Sequence, residues 1–223
     1  MHQRKSKKLL IYFFLLILFG SINNINLINT NFYKIKEVKI SGLEINENKN
    51  ILKKIQNLKL NNIFFINKNN LNEIIENNTF VEKYQIFKNY PSTLNVVIER
   101  TQFLANINLD GQIFFVGSNG KLSKQNPYDE KLPFIFGKPN IKEFLNFKKQ
   151  IDQSKISYSQ IKNMFFFPSK RWDIEIKNGI IIKLPKSNVK KSLNQSFEVL
   201  NDEKFKNIKI IDIRIKNQII LNE

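Results

Sequence analysis

Side chains that could perform catalysis are scarce in this sequence. The chain has no cysteine and a single histidine, His2. This excludes thiolate nucleophiles, cysteine-based zinc sites and disulfide bonds, and it leaves the folded part without a histidine triad or a histidine metal cluster. The Asp and Glu residues are dispersed, and no glycine-rich phosphate loop accompanies them. We therefore expect no enzyme activity, no metal, no cofactor and no small-molecule substrate. A cell-wall hydrolase whose two carboxylates meet only on folding is the remaining enzymatic alternative.

The charge of the chain raises nucleic acid and anionic membranes as candidate partners. The formal net charge is +17, and clustered cations release counterions when they bind phosphates. After the first eight residues, however, the lysines are scattered among Asn, Ile and Phe, without a long basic run or an aromatic-interleaved RNA motif. This dispersal favours a solvated surface, so we expect no nucleic-acid binding. Salt-sensitive DNA binding by the soluble fragment would favour the alternative, a membrane-tethered nucleic-acid binder.

The N-terminus has the features of a membrane anchor. Four cations precede an unbroken apolar run, Leu9–Phe19. By the positive-inside rule, this arrangement predicts a cytoplasmic tail at residues 1–8, a transmembrane helix at 9–28 and an exported remainder. Three asparagines fall near the outer end of the predicted helix, where they cost less than at the bilayer centre. A cleaved signal peptide remains an alternative because Gly20 and Ser21 are small, although no Ala-x-Ala-like site follows the apolar run.

Hydrophobic periodicity divides the exported part into two domains, 32–101 and 102–223. In the first domain it predicts the order β-α-α-β-β. The predicted elements are a strand at Ile35–Gly42, helices around Ile51–Leu58 and Leu71–Ile75, and strands at Val81–Lys88 and Thr93–Glu99. Asparagines before each helix offer caps.

The second domain is predicted to be a mixed, mostly antiparallel β domain with two helices. Asp110-Gly111 and Asn178-Gly179 each fit a two-residue hairpin turn. Along Trp172–Lys177 the apolar residues share one face, and Asp173 and Glu175 point the other way, which predicts a sheet with one wet side. The remaining predicted elements are a strand at Leu132–Phe136, a helix at Ile141–Ile151 capped by Asn140, a helix at about Val189–Leu200, and strands at Ile208–Ile215 and Gln218–Leu221.

Three stretches of the sequence, taken in order, resemble the FtsQ/DivIB family of bacterial cell-division proteins. They are Tyr90–Glu99, Arg171–Ile180 and Ile211–Arg214. Members of that family have a short cytoplasmic tail, one membrane anchor, a POTRA domain of β-α-α-β-β order and a β domain that ends in adjacent strands. The resemblance covers almost the whole chain. It implies an α+β fold with a single N-terminal transmembrane helix, a POTRA domain at 32–101 and an FtsQ-type β domain at 102–223.

The resemblance also implies a function. A chain of this family is expected to be a non-catalytic divisome assembly protein of the inner membrane, located at the septum. It would bind FtsB/FtsL-like division proteins and help to control septal peptidoglycan synthesis. The alternative is another exported POTRA-containing scaffold, or a transport or assembly factor.

The implied binding site lies at the C-terminal end of the chain. In relatives the last strands bind the periplasmic part of FtsB, partly by strand addition, and the Arg of an Asp-Leu-Arg-like motif contacts an acidic partner residue. Arg214 occupies that place here. The implied partner-binding residues are Arg214, Ile215, Gln218, Ile219, Ile220 and Leu221. Without the resemblance, Arg214 would be expected to pair with Asp212 or to face solvent.

Overall fold

The computed structural model describes residues 7–22, 34–58, 60, 62–125, 131–205 and 207–222. Residues 1–6 of the predicted cytoplasmic tail and 23–28 of the predicted anchor lie outside these ranges. The chain divides into two compact units. The first unit reaches Ile75 and includes Tyr84–Ile98, and the second combines Glu76–Lys83 with the chain from Glu99 onward. The domain bounds expected from the sequence, 32–101 and 102–223, stay predictions.

The first helix, α1 (Lys7–Ile22), exposes its apolar side chains. From Leu9 to Phe19, eleven consecutive side chains are between 40% and 70% exposed. Within the described ranges, no helix combines the length and the apolar character needed to cross a membrane.

The first unit contains the predicted β-α-α-β-β order, which the structure confirms. The elements are β1 (Glu37–Ser41), α2 (Ile45–Gln56), α3 (Lys68–Glu76), β2 (Val81–Asn89) and β3 (Thr93–Arg100). The last residue of α3, the first three residues of β2 and the last two of β3 belong to the second unit. The strand order is β1-β3-β2, with β1 parallel to β3. Helix α2 begins earlier than predicted, so the asparagines expected to cap it lie inside the helix, and Glu44 at its N-cap makes no side-chain cap.

The core of the first unit contains every second residue of β3 from Leu94 to Ile98 together with apolar residues of the two helices. Leu94, Val96 and Ile98 are buried, as are Ile51, Ile55, Leu71 and Ile75 of the two helices. Gly42, at the end of β1, lies directly against β3. Its φ is +110°, and a Cβ built there would lie 1.7 Å from the carbonyl oxygen of Ile98. Only glycine fits this position.

The described residues of the second unit form a nine-stranded sheet with helices on one face. The strands are β4 (Phe103–Leu109), β5 (Gln112–Gly117), β6 (Leu122–Ser123), β7 (Phe134–Phe136), β8 (Ile161–Phe166), β9 (Trp172–Ile176), β10 (Ile181–Lys183), β11 (Ile210–Asp212) and β12 (Ile220–Asn222). Their order is β12-β11-β10-β9-β8-β7-β4-β5-β6. Strands β6 and β8 have no counterpart in the sequence-based prediction. In β8 a register shift between Ile161 and Asn163 interrupts the apolar alternation.

Helices α4 (Ile141–Asp152) and α5 (Val189–Asn201) contribute to the core on the apolar face of the sheet. Trp172 of β9 stacks on Phe147 of α4, with ring centroids 4.5 Å apart and an interplanar angle of 4°. The predicted cap of α4 is confirmed: Asn140 Oδ1 accepts the Lys142 N–H at 2.9 Å, and Glu143 Oε2 accepts the Asn140 N–H at 3.2 Å.

The two predicted hairpin turns differ in outcome. Asp110 and Gly111 have φ of 52° and 84°, as a two-residue type I′ turn requires, and this prediction is confirmed. The prediction of a two-residue turn at Asn178-Gly179 is wrong. The Ile176 N–H donates to the Ile180 carbonyl at 3.0 Å, so residues 177–179 form a three-residue loop with Gly179 in the left-handed region.

The prediction that Asp173 lies on a solvent-exposed side of the sheet is wrong, because Asp173 is buried. Its Oδ1 accepts hydrogen bonds from Arg171 Nε at 3.2 Å and from the Leu184 N–H at 3.3 Å. Burial raises the pKa of Asp173, and the neighbouring Arg171 opposes that rise. The carboxylate is therefore a buried hydrogen-bonded group of the sheet.

Candidate partner-binding edge

Strand β12 forms one border of the nine-stranded sheet in the described chain. It runs antiparallel to β11, with Asp212 opposite Ile220 and Ile210 opposite Asn222. Apolar side chains lie on both of its faces, because Leu221 packs against the core and Ile220 is 50% exposed. A border strand of this kind can accept a further strand through backbone hydrogen bonds.

The direction of the backbone groups identifies the open part of β12. The β11 segment bonds β10 through the Lys209 carbonyl, which accepts a hydrogen bond at 2.9 Å, and the Ile213 N–H, which donates one at 3.0 Å. On the other side, the Lys209 N–H donates to the Asn222 carbonyl of β12 at 2.9 Å. Backbone groups alternate sides along a strand, so the even-numbered residues of β11 bond β12. Ile220 and Asn222 therefore pair with β11. Leu221 directs its N–H and carbonyl toward the open border.

Arg214, which follows β11, is engaged by Asp212. Arg214 Nε donates to the two carboxylate oxygens at 2.8 and 3.0 Å, and the Arg214 backbone N–H donates to Oδ1 at 3.1 Å. These contacts lower the pKa of Asp212 and raise that of Arg214. The guanidinium uses Nε and Nη2 for this pair, so Nη1 can donate to another acceptor.

A cleft of about 210 Å³ lies between the N-terminal half of α5 and the segment after β11. We call it the cationic cleft. Its lining includes Lys191, Ser192 and Gln195 of α5 together with residues 213–217. Three of the lining side chains are cations: Lys191, Arg214 and Lys216.

The start of α5 adds to the positive potential of the cationic cleft. Its first turn contains no acidic residue, and Asn188, with φ of 60°, makes no side-chain cap. The N-terminus of a helix carries a partial positive charge. Together with the three cations, it forms a surface that favours an acidic ligand.

The six residues predicted to bind a partner lie on two adjoining features. Arg214 and Ile215 line the cationic cleft, whereas Ile219, Ile220 and Leu221 lead into or form β12. The Gln218 N–H donates to the Ile215 carbonyl at 3.2 Å and closes the turn between the two features. The predicted strand Ile208–Ile215 is shorter in the structure, Ile210–Asp212. The role of these six residues in partner binding stays a prediction.

Sequence reasoning missed the contribution of α5 to the cationic cleft. Lys191 and Gln195 belong to the polar positions of an amphipathic helix, which are usually solvated, and Ser192 is a buried polar residue of the same helix. The one available signal was a pair of lysines at the start of that helix without an acidic residue. That signal does not indicate which other element the lysines face.

Comparisons with known proteins identify the family. The model of the family described as "POTRA domain, FtsQ-type" matches residues 33–100. That of "Cell division protein FtsQ/DivIB, C-terminal" matches residues 103–214, which is half of the chain. The chain belongs to the FtsQ/DivIB family of cell-division proteins. The resemblance predicted from the sequence is thus confirmed, and with it a role in cell division.

Individual FtsQ and DivIB proteins are similar over most of the chain. A Rickettsia bellii protein named cell division protein FtsQ is 24% identical over 196 residues, covering 83% of this chain and 71% of that protein. A Clostridium botulinum protein named cell division protein DivIB is 25% identical over 232 residues, covering 93% of this chain and 86% of that protein. The solved extracytoplasmic domain of DivIB from Geobacillus stearothermophilus matches 42% of this chain at 13% identity with a TM-score of 0.31, which is too low to support an argument.

Proposed function

We propose that this chain is a non-catalytic divisome assembly protein that binds FtsB/FtsL-like membrane proteins and helps to control septal peptidoglycan synthesis. The observation that carries the proposal is the border strand β12 beside the cationic cleft. Leu221 offers backbone groups to a partner strand, and Ile220 offers exposed apolar surface. Strand addition supplies affinity, and the three cations select an acidic partner segment.

The proposal includes a membrane anchor and a topology. Residues 1–8 stay in the cytoplasm, residues 9–28 anchor the protein in the inner membrane, and the remainder is periplasmic at the septum. Eleven consecutive exposed apolar side chains in α1, preceded by four cations, support this. A C-terminal reporter active only outside the cytoplasm should be active, and an N-terminal tag should stay in the membrane with the intact protein. Loss of the tag on export would replace the anchor with a cleaved signal peptide.

Charge reversal in the cationic cleft tests partner binding. Reversal of Arg214 is a poor probe, because Arg214→Glu would place a carboxylate against Asp212 and disturb the fold. Lys191 and Lys216 make no ion pair within the described part of the chain. The double variant Lys191→Glu/Lys216→Glu therefore removes cleft charge without breaking an internal contact. Lys190→Glu is the matched control, since Lys190 is exposed on the same helix and does not line the cleft.

The readout is the affinity of the full-length protein for a purified FtsB/FtsL-like complex in detergent. An exposed ion pair contributes about 0.2–1 kcal/mol, so reversing two cations should weaken binding about tenfold. Wild-type binding should also weaken with added salt, and the double variant should show less of this dependence. Lys190→Glu should bind like the wild type. A folded double variant with wild-type affinity would remove the cationic cleft from the mechanism. Absence of any capture would favour another POTRA-containing scaffold.

A further inference from the structure

An exposed aromatic cluster lies at the end of the first unit where β1 begins. The Lys36 N–H donates to the Ser92 carbonyl at 2.9 Å, so the start of β1 lies beside the turn that joins β2 and β3. Tyr90 belongs to that turn, and Phe64 stacks on it with ring centroids 4.9 Å apart. The adjacent Phe65 is 80% exposed. We call Phe64, Phe65 and Tyr90 the entry cluster.

Cations surround the entry cluster. Lys34 and Lys36 are exposed at the start of β1, and Lys88 Nζ donates to the Phe64 carbonyl at 3.3 Å. Glu37, the carboxylate nearest to Lys34 and Lys36 along the chain, is already in an ion pair with Lys39. Exposed aromatic rings beside lysines are typical of protein surfaces at the headgroup level of a membrane.

The chain connection limits how far this surface can lie from α1. Eleven residues, 23–33, separate the end of α1 from Lys34. Even a fully extended connection of that length spans at most about 40 Å. If α1 is the anchor, Lys34 therefore lies within about 40 Å of the leaflet from which α1 emerges, and the entry cluster lies at the same end of the first unit as Lys34.

We propose that the entry cluster docks into the headgroup region of an anionic phospholipid leaflet. The rings enter the interface, and Lys34, Lys36 and Lys88 face the lipid phosphates. This inference rests on the membrane anchor of the proposed function. It assigns the first unit a lipid-binding surface separate from the partner-binding border of the second unit.

Single-cysteine labelling can test the docking directly, because the natural chain contains no cysteine. The full-length variant Phe65→Cys, carrying an environment-sensitive fluorophore, is reconstituted into nanodiscs of phosphatidylethanolamine and phosphatidylglycerol. Lipids with a shallow nitroxide quench a label that lies in the headgroup region. Ile45→Cys is the matched control, since Ile45 is 71% exposed in the same unit and follows the opposite end of β1. We expect several-fold stronger quenching at position 65 than at position 45.

The charge dependence identifies the lipid contribution. In the labelled protein, Lys34→Gln/Lys36→Gln should reduce quenching at position 65, and so should replacement of the anionic lipid by phosphatidylcholine. The matched pair Lys53→Gln/Lys54→Gln, on α2, should leave quenching unchanged. Equal quenching in anionic and neutral discs would contradict recognition of anionic lipid.

A third label separates this inference from the anchor. Leu16→Cys, in α1, should be quenched by nitroxides deep in the acyl chains. Quenching at position 16 without excess quenching at position 65 would overturn the docking and leave the anchor standing. No quenching at position 16 would overturn the anchor. Concentration-dependent shielding of position 65 in detergent would show that the entry cluster binds a second copy of the chain, which would also overturn the docking.

Discussion

Truncation of Trp172 is expected to remove a large part of the stability of the second unit. Trp172 is buried and stacks on Phe147 of α4, with ring centroids 4.5 Å apart. Its ring centroid also lies 4.8 Å from that of Phe166 and 6.4 Å from that of Phe144. It therefore joins the helix to the sheet. Replacement of a buried Phe or Trp by Ala costs about 3–5 kcal/mol. Against a typical total of about 5–15 kcal/mol, Trp172→Ala should remove about a fifth or more of the free energy of unfolding.

The assay must report on the second unit by itself, because a chain with two units need not unfold in one step. Hydrogen exchange of β8, β9 and α4 gives the local free energy of opening. Phe136→Ala is the control: Phe136 is 45% exposed, and its ring centroid lies 5.1 Å from that of Phe165 and 4.8 Å from that of Phe134. Each of these two ring pairs contributes about 0.5–1.5 kcal/mol, so the loss of Phe136 should cost about 1–3 kcal/mol. If Trp172→Ala costs no more than Phe136→Ala, Trp172 is not a core residue and the packing argument is refuted.

Three further substitutions test local features. Gly42→Ala should destabilise the first unit by at least ~2 kcal/mol, because its Cβ would lie 1.7 Å from the Ile98 carbonyl oxygen at a φ of +110°. Hydrogen exchange of the first unit measures this, and an unchanged free energy of opening would contradict that geometry. Asn140→Ala should lower the melting temperature by the equivalent of about 1 kcal/mol, and Asn140→Ser should restore it. Since Arg214 holds the pKa of Asp212 below its usual value of 3.8, Asp212 stabilises the fold above that pH and less as the pH falls. The difference in melting temperature between the wild type and Asp212→Asn should therefore shrink from pH 7 to pH 3, and a constant difference would refute the pairing.

Features encoded by neighbouring residues could be predicted from the sequence. The β-α-α-β-β order follows from periodicity, and the turn at Asp110-Gly111 follows from residues that tolerate positive φ. The cap of α4 depends on Asn140 and Glu143, three positions apart. Each of these features is decided within a few residues of the chain.

Features that depend on distant pairing could not be predicted in the same way. Strand β8 is parallel to β7 and antiparallel to β9, and its register shift obscures the alternation that would identify it. Asp173 follows the polar alternation of β9, but Arg171 and the backbone of Leu184 satisfy its carboxylate and allow its burial. The cationic cleft combines α5 with the segment after β11, and nothing in either stretch specifies the other.

Binding at the open border of β12 is tested most directly by comparing Leu221→Pro with Leu221→Ala. Proline removes the N–H that points toward the border, and border strands tolerate proline when that side faces outward. Alanine also removes the leucine side chain but keeps the N–H. The measurement is the affinity of each full-length variant for the FtsB/FtsL-like complex, with matching melting temperatures as the control for folding. One net hydrogen bond contributes about 0.5–1.5 kcal/mol, so the proline variant should bind several-fold more weakly than the alanine variant. Equal affinities in two folded variants would contradict strand addition at this border.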